Sequence, residues 1–496
     1  MGTRAEIRAA KLQRMRTGAP PRVLELCSGS GGLSLGLQTA GFELLAHVES
    51  DATAAASYAL NFRAPALVKA DAWAKSRDME EQGPDSLIAD LGIDAPTDAA
   101  FDVLAAGLPC QAFARIGRSK LRSVAGDEEA YRNDPRAKLY KRFLEYVDAV
   151  QPVALIIENV PDILNFGGHN VPEEICETLE SRGYSTAYTL LNAAFYGVPQ
   201  IRERVFLIAF DRSLGVRSGF PAPTHQADLP SGYDAARTVA LKHVPANGAR
   251  FTRTPIPATG LPAAVSVLAA LSDLPFISEH YRDPAEMRRR KVSDTLPYRE
   301  YLSLTPFQRQ MRDWPGFEAA TDVSGNNVRI TPRDFEIFRR MPRGADYPQA
   351  LKIAETIFQE RLEAERTKPR RGSARWKEIR KVCVPPYDPG KFPNKWWKLD
   401  PALPSRTLTA HMGKDTYSHI HWDARQQRTV SVREAARLQS FPDGFVFAGA
   451  MNAAFRQIGN AVPPLLALAV ALQLKSDLDA AVATIGDATK TEGLAA

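Results

Sequence analysis

The chain has 496 residues, 44% of them hydrophobic and 24% charged, with a formal net charge of +6. That is enough apolar material for several domains and enough positive charge to favour a polyanionic partner only mildly. Its four cysteines, Cys27, Cys110, Cys176 and Cys383, form no CxxC pair and have no histidines at matching spacing, which argues against a zinc site and against a disulfide framework. No apolar stretch with a cleavage site follows the basic N-terminus. The longest apolar run, 462–472, is too short to span a bilayer. The expectation is an intracellular protein without a membrane anchor.

In chain order, residues 5–16 read as a basic helix and Arg22–Leu26 as a buried strand. A turn with Gly29, Gly31 and Gly32 opens a helix over Leu33–Thr39, and Leu44–Val48 is a second strand ending at Glu49. Ala66–Lys69 reads as a third strand ending near Asp71, and Phe101–Ala106 as a fourth running into Gly107-Leu108-Pro109-Cys110. A helix over Pro135–Val150 precedes a strand at Val153–Ile157, which ends at Glu158. Helix Val171–Arg182 and strands Tyr184–Leu190 and Arg204–Phe210 follow. This alternation predicts an α/β class: a doubly wound, largely parallel sheet occupying 1–225. Residues 226–400 lose the period and read as an irregular insertion. Residues 401–475 complete the first domain, with PSRTLTA extended and helices at Val432–Leu438 and Pro463–Leu474. The tail, 476–496, is small and polar, and is expected to fray from 485.

Two constellations carry chemistry. Glycines 29, 31 and 32 follow a strand, and acidic residues stand at the ends of the next two strands. Glu49 can accept ribose hydroxyls and Asp71 an adenine amine, so an adenosine-containing ligand is expected. The spacing is not the GxGxxG of dinucleotide sites, which makes NAD or FAD remote. The second constellation is Cys110, Glu158, Arg202 and Arg204, a thiol, a carboxylate and two guanidiniums at the carboxyl edge of the sheet. A thiolate adding to C6 of a cytosine activates C5, provided an acid meets the charge that grows on N3. After Cys110, the loop 111–129 is basic and glycine-punctuated, suited to closing over a polyanion. Far downstream, 361–397 interleaves Lys and Arg with Trp376, Tyr387, Phe392, Trp396 and Trp397, which suits phosphate contact and base stacking. A solvated basic face with a small local core explains the same composition.

The blocks ELCSGSGG (25–32), GLPCQAFA (107–114), ENV (158–160), QIRER (200–204), PSRTLTA (404–410), REAARLQSFP (433–442) and QIGNAVPP (457–464) resemble, in order, those of the cytosine-C5 DNA methyltransferase family, bacterial restriction-modification type. The resemblance implies an S-adenosylmethionine-dependent methyltransferase fold with a target-recognition domain inserted at about 226–400. It implies that Cys110 is the nucleophile, that Glu158 meets N3 and the exocyclic amine, that Arg202 lies near O2 and that Arg204 supports it. The cofactor set it implies is Leu26, Cys27, Ser28, Gly29, Gly31, Gly32, Glu49, Ser50, Asp71, Ala72, Gly107, Pro109, Asn460 and Val462. S-adenosyl-L-homocysteine is the product, and no metal is required. Gln111, Arg115, Arg118, Lys120, Thr409, Lys395 and Trp396 are the expected DNA contacts. Double-stranded DNA is the partner, its target base flipped out of the helix. A restriction endonuclease is a candidate functional partner, and a cytoplasmic, nucleoid-associated monomer is expected.

Some residues depart from the family pattern. Cys27 replaces a phenylalanine that stacks on adenine, Glu25 an Asp, Ser28 an Ala, Leu108 a Pro and Ala114 a Ser. Ser50 stands where an aromatic residue is common. Loss of stacking costs about 1 kcal/mol of cofactor affinity by typical aromatic pair energies. Two rival readings are a transfer-RNA cytosine-C5 methyltransferase and a catalytically idle DNA-binding regulator on the same scaffold. The long insert argues against the first, and the intact Cys110, Glu158 and Arg202 against the second.

Overall fold

The computed structural model describes residues 3–109, 135–230, 232–245, 250–300, 303–319, 321–413 and 417–493. By contacts the chain divides into two compact units. One comprises 1–197, 203–263 and 461–496, the other 198–202 and 264–460.

The first unit is built on a six-stranded sheet of order β2-β1-β3-β4-β6-β5. Its strands are β1 (Arg22–Leu26), β2 (Glu43–Val48), β3 (Val103–Ala106), β4 (Ala154–Asn159), β5 (Tyr184–Asn192) and β6 (Glu203–Asp211). Only β6 runs against the others, so the sheet is largely parallel. β1 has β2 on one side and β3 on the other, and the chain reverses its winding there. The carboxyl ends of β1 and β3 therefore open the crevice in which such sheets bind ligands. Helix α1 (Arg4–Arg16) starts at a Thr3 capping box, and α2 (Gly32–Thr39) starts at Gly31. A side chain at Gly36 would collide with the backbone at Ala467 and Leu468, so glycine lets α2 lie directly on the long C-terminal helix Pro464–Gly493.

Several expectations are corrected here. Ala66–Lys69 is a turn, not a strand, and Asp71 sits in a four-residue helix, Ala70–Trp73. Four residues flanked by Pro65 and exposed polar groups offer too little apolar surface to join the sheet. The segment 226–263 belongs to the first unit. Tyr188 and the chain at 250–252 exchange backbone hydrogen bonds of 2.9 Å, and Arg250 pairs with Glu173 at 2.5 Å and Glu180 at 2.8 Å. Conversely, 401–460 clusters with the inserted unit. The last helix runs to Gly493 rather than stopping at Leu474, so the small polar tail is helical over most of its length. A further helix, Met451–Asn460, was not anticipated. Among the described residues, one helical run, Met451–Thr484, is long and apolar enough to cross a bilayer; two-thirds of its most apolar window is buried.

The second unit has its own core, in which Trp396 packs against Phe338, Tyr347 and Tyr417. Trp396 has no exposed surface, so it is a core residue and not a base-stacking one. Two cations of 361–397 are likewise matched by acids: Arg375 by Glu365 and Glu378, and Arg380 by Glu355. The PSRTLTA segment forms no strand beyond one bridge between Gln200 and Ser405.

Candidate active site

β1 delivers the chain into a strained turn. Cys27 holds φ 54°, a left-handed conformation that costs a non-glycine residue about 1–2 kcal/mol. Gly29 (φ 57°) and Gly31 (φ 96°) follow. The three glycines differ in what they do. A Cβ at Gly31 would enter the Phe62 ring and one at Gly32 would strike the Val462 carbonyl, whereas the Cβ position at Gly29 faces open space. Gly31 and Gly32 therefore allow close packing, and Gly29 leaves a free face.

Glu49 closes the turn from the end of β2. Its two carboxylate oxygens accept the Gly29 N–H at 2.8 Å and the Asp51 N–H at 2.7 Å. Each keeps lone-pair capacity for a ligand hydroxyl. Burial pushes its carboxyl pKa up, against the pull of those backbone donors. This oriented carboxylate beside an open glycine backbone fits the ribose and amino-acid ends of S-adenosylmethionine, with Glu49, Gly29 and neighbouring backbone to hold them. Leu26, Ala72 and Val462 are buried, whereas Ser50, Asp71, Pro109 and Asn460 are exposed. The Asp71 segment is still tied to the site, because Arg77 N–H donates to the Glu49 carbonyl at 2.7 Å.

A polar chain beneath the turn was not foreseen. His47 Nε2 pairs with the Trp73 carbonyl at 2.8 Å, which makes Nδ1 the acceptor of the Ser28 hydroxyl at 3.3 Å. Burial lowers the His47 pKa to about 4, so the ring is neutral, and it stacks on Tyr58 at 3.9 Å. Tyr58 hydrogen-bonds Ser34, which donates to Glu25. Burial pushes the Glu25 carboxyl up to about 8. A histidine inside an apolar strand, two residues before Glu49, was the available signal.

At the end of β4, Glu158 accepts from Arg204 Nε at 2.8 Å, and both side chains are almost buried. The next residue, Asn159, donates its side-chain N–H to the Leu108 carbonyl at 2.8 Å. That bond ties the chain entering Cys110 to the strand carrying Glu158. The Cβ position of Gly107 lies 4.0 Å from a Glu158 oxygen, at van der Waals distance, which places this loop beside the Glu158 carboxylate. Cys110, Gln111, Arg115, Arg118 and Lys120 lie outside the described residues.

The two arginines of QIRER part company. Arg202, expected near the base, is wholly buried in the second unit, and its guanidinium donates to the Leu408 carbonyl at 2.7 Å and the Gly459 carbonyl at 2.9 Å. It binds the QIR, SRTLT and QIGN segments together, and it is Arg204 that meets Glu158. Gln200 takes part in the same junction, accepting from Leu408 N–H at 2.9 Å and donating to the Leu438 carbonyl at 3.1 Å. Thr407 donates to the Ile201 carbonyl at 2.8 Å, while Thr409 is exposed and its backbone lies against Gly459. Lys395 is half-buried, its ammonium 3.9 Å from the centre of the Tyr387 ring.

Known proteins agree with this architecture. A solved Escherichia coli structure of a DNA modification methyltransferase encoded within a prophage shares the fold, with a TM-score of 0.56 at 22% identity over 92% of this chain and 99% of that one. A protein of Oceanobacillus iheyensis named as a type II methyltransferase, M.OihORF3336P, is 38% identical over 92% of this chain and 96% of its own length. The type II methyltransferase M.AgeI of Thalassovita gelatinovora is 31% identical over 92% of this chain and 99% of its own. The family model for C-5 cytosine-specific DNA methylase matches residues 21–256 and 326–476. The chain therefore belongs to the C-5 cytosine-specific DNA methylase family, whose members methylate cytosine in DNA with S-adenosylmethionine.

Proposed function

We propose that this protein is a DNA (cytosine-5-)-methyltransferase that acts through a covalent bond between Cys110 and C6 of a cytosine flipped from a specific duplex sequence. The observation that carries this reading is the Glu158–Arg204 pair at the end of β4, with Asn159 anchoring the chain that enters Cys110. Cysteine chemistry supports it by elimination: burial raises the thiol pKa of Cys27, Cys176 and Cys383, the first two to about 12, so none of these is a ready thiolate.

Extruding the base costs a few kcal/mol. The Cys110 thiolate then adds to C6, which pushes electrons toward N3. Glu158 in its acid form gives N3 a proton, while Arg204 holds the carboxylate and the O2 side of the ring. Bound S-adenosylmethionine supplies an electrophilic methyl group, which the activated C5 takes up. Loss of the C5 proton to a base then restores the C5–C6 double bond and expels the thiolate, and N3 returns its proton to the Glu158 carboxylate. The exposed Thr409 and the half-buried Lys395, with the basic loop after Cys110, are assigned to the DNA backbone, where cations position the duplex without reading it.

The names of the type II relatives support a modification role, protecting DNA from a partner restriction endonuclease; action as a cytoplasmic, nucleoid-associated monomer is part of the same proposal. Bisulfite sequencing of DNA from cells expressing the chain tests the activity: methylated cytosine in one recurrent context is expected. A 5-fluorocytosine duplex tests the mechanism, since it must trap a stable adduct on Cys110 in the presence of the methyl donor. Active protein that forms no such adduct overturns the covalent route.

A further inference from the structure

The last two carbonyls of the helix Ala70–Trp73 are held by side chains from elsewhere in the first unit. Arg77 donates from Nη2 to the Ala72 carbonyl at 2.7 Å, and His47 Nε2 meets the Trp73 carbonyl at 2.8 Å. A carbonyl can only accept, so Nε2 carries the proton of a neutral ring and Nδ1 keeps its lone pair. That lone pair faces the Ser28 hydroxyl at 3.3 Å. One imidazole thus bonds two segments far apart in the chain, the glycine turn after β1 and the short helix carrying Asp71.

Both segments need outside support. Cys27 holds a left-handed conformation, which persists only where its surroundings over-determine it. Three successive residues provide that support. His47 takes the Ser28 hydroxyl, the Val48 carbonyl accepts the Ser28 N–H at 3.2 Å, and the Glu49 carboxylate accepts the Gly29 N–H at 2.8 Å. The Asp71 helix is a single turn, too short to be stable by itself. Arg77, buried and donating from Nε to Asp90 at 2.8 Å, secures one of its carbonyls, and His47 the other. His47 is itself fixed: it is 1% exposed, stacks on Tyr58 at 3.9 Å and meets Trp73 edge-on at 5.1 Å. Both ring nitrogens are engaged, so the ring has none to offer a ligand.

We propose that His47 is a positioning residue for the cofactor, whose two ring nitrogens lock the glycine turn and the Asp71 helix together in the arrangement that receives S-adenosylmethionine. The inference rests on the reading that Gly29, Glu49 and Asp71 hold the cofactor. A site already in its binding shape loses less freedom when the ligand arrives, and so binds it more tightly.

The test measures Kd for S-adenosyl-L-homocysteine by calorimetry on the intact chain. Wild type is compared with His47→Phe, His47→Gln, Ser28→Ala and the double variant His47→Phe/Ser28→Ala. The thermal midpoint without ligand, and KM for S-adenosylmethionine against kcat, are read beside it. His47→Phe keeps a ring against Tyr58 but removes both bonds. Its Kd and KM should rise about tenfold, with kcat at saturating cofactor within about twofold of wild type, as two ordinary hydrogen bonds allow. His47→Gln, whose amide offers both a donor and an acceptor, should lose less. Ser28→Ala should raise Kd about threefold, and adding it to His47→Phe should raise Kd no further, because the shared bond is already gone. A histidine that merely fills the core predicts a lower midpoint for His47→Phe with a wild-type Kd. That outcome, or a fully additive double variant, overturns the proposal. If His47→Phe does not fold, Ser28→Ala decides alone, and a wild-type Kd there overturns the proposal. An unchanged Kd in Glu49→Ala would instead overturn the placement of the cofactor on this turn.

Discussion

The sheet edge and the inserted unit both bury arginine–carboxylate pairs, but they leave them in different states. In the inserted unit Arg437 lies between Asp273 at 2.9 Å and Asp443 at 2.5 Å, with none of the three side chains exposed, and it also donates to the Ala270 carbonyl at 2.7 Å. Arg428 forks onto Glu434 in the same way, at 2.6 and 2.7 Å. Glu158 and Arg204, by contrast, each keep about a tenth of their side chain open. A saturated pair fixes a shape. A pair with a lone pair or an N–H to spare at the end of a strand can still meet a substrate, which is why buried charge alone does not mark an active site.

The largest effect that tests this contrast is chemical. Glu158→Gln keeps the volume but removes the acid, so turnover should fall by about 10²- to 10⁴-fold while the thermal midpoint barely moves. Methyl transfer within tenfold of wild type would erase the distinction. Arg437→Met should do the reverse. It strands two buried carboxylates, and denaturant unfolding should register a loss of about 3–5 kcal/mol in that unit.

Glu25 gives a third test, through pH. Its folded pKa, near 8, lies above the ordinary 4.5, so the folded state keeps a proton that the unfolded state has already released. Its contribution to stability is fully present below about 4.5 and is lost as pH rises toward 8, with a slope of up to about 1.4 kcal/mol per pH unit. Glu25→Gln should flatten that decline, measured as thermal midpoint against pH; an unchanged slope assigns it elsewhere. Gly459→Ala is expected to cost less, about 1–3 kcal/mol, because its new methyl group would meet the Thr409–Ala410 backbone at about 2.4 Å. Smallest of all, Lys395→Ala should weaken DNA binding a few-fold and reduce the salt dependence by about one phosphate contact, leaving kcat alone.

The same contrast separates what was legible in the sequence from what was not. Strands such as Arg22–Leu26 and helices such as Val432–Leu438 were readable to the residue, because apolar periodicity and a Ser431–Glu434 capping box mark them locally. The placement of Glu49 and Glu158 at the ends of β2 and β4 was readable, because a carboxylate at the end of an apolar strand needs a polar reason to be there. The division of labour between Arg202 and Arg204 was not, since both are arginines before or within a strand and only long-range partners distinguish them. Trp396 misled for a related reason: aromatic residues among lysines look alike whether they form a core or a binding face. The helix at Tyr233–Ala240 was missed because its first unit continues through a proline-rich stretch whose partners, such as Glu173 and Glu180, lie some 70 residues earlier.

Alternation along β6 has one more consequence. Successive side chains of a strand point to opposite faces, so Glu203 and Arg204 cannot both look toward Glu158. Losing or gaining one residue at the head of this strand would exchange them and set acid against acid where a base is to be protonated. A single-codon deletion at the head of β6 is therefore expected to abolish methyl transfer, a loss that an assay of the deletion variant would register.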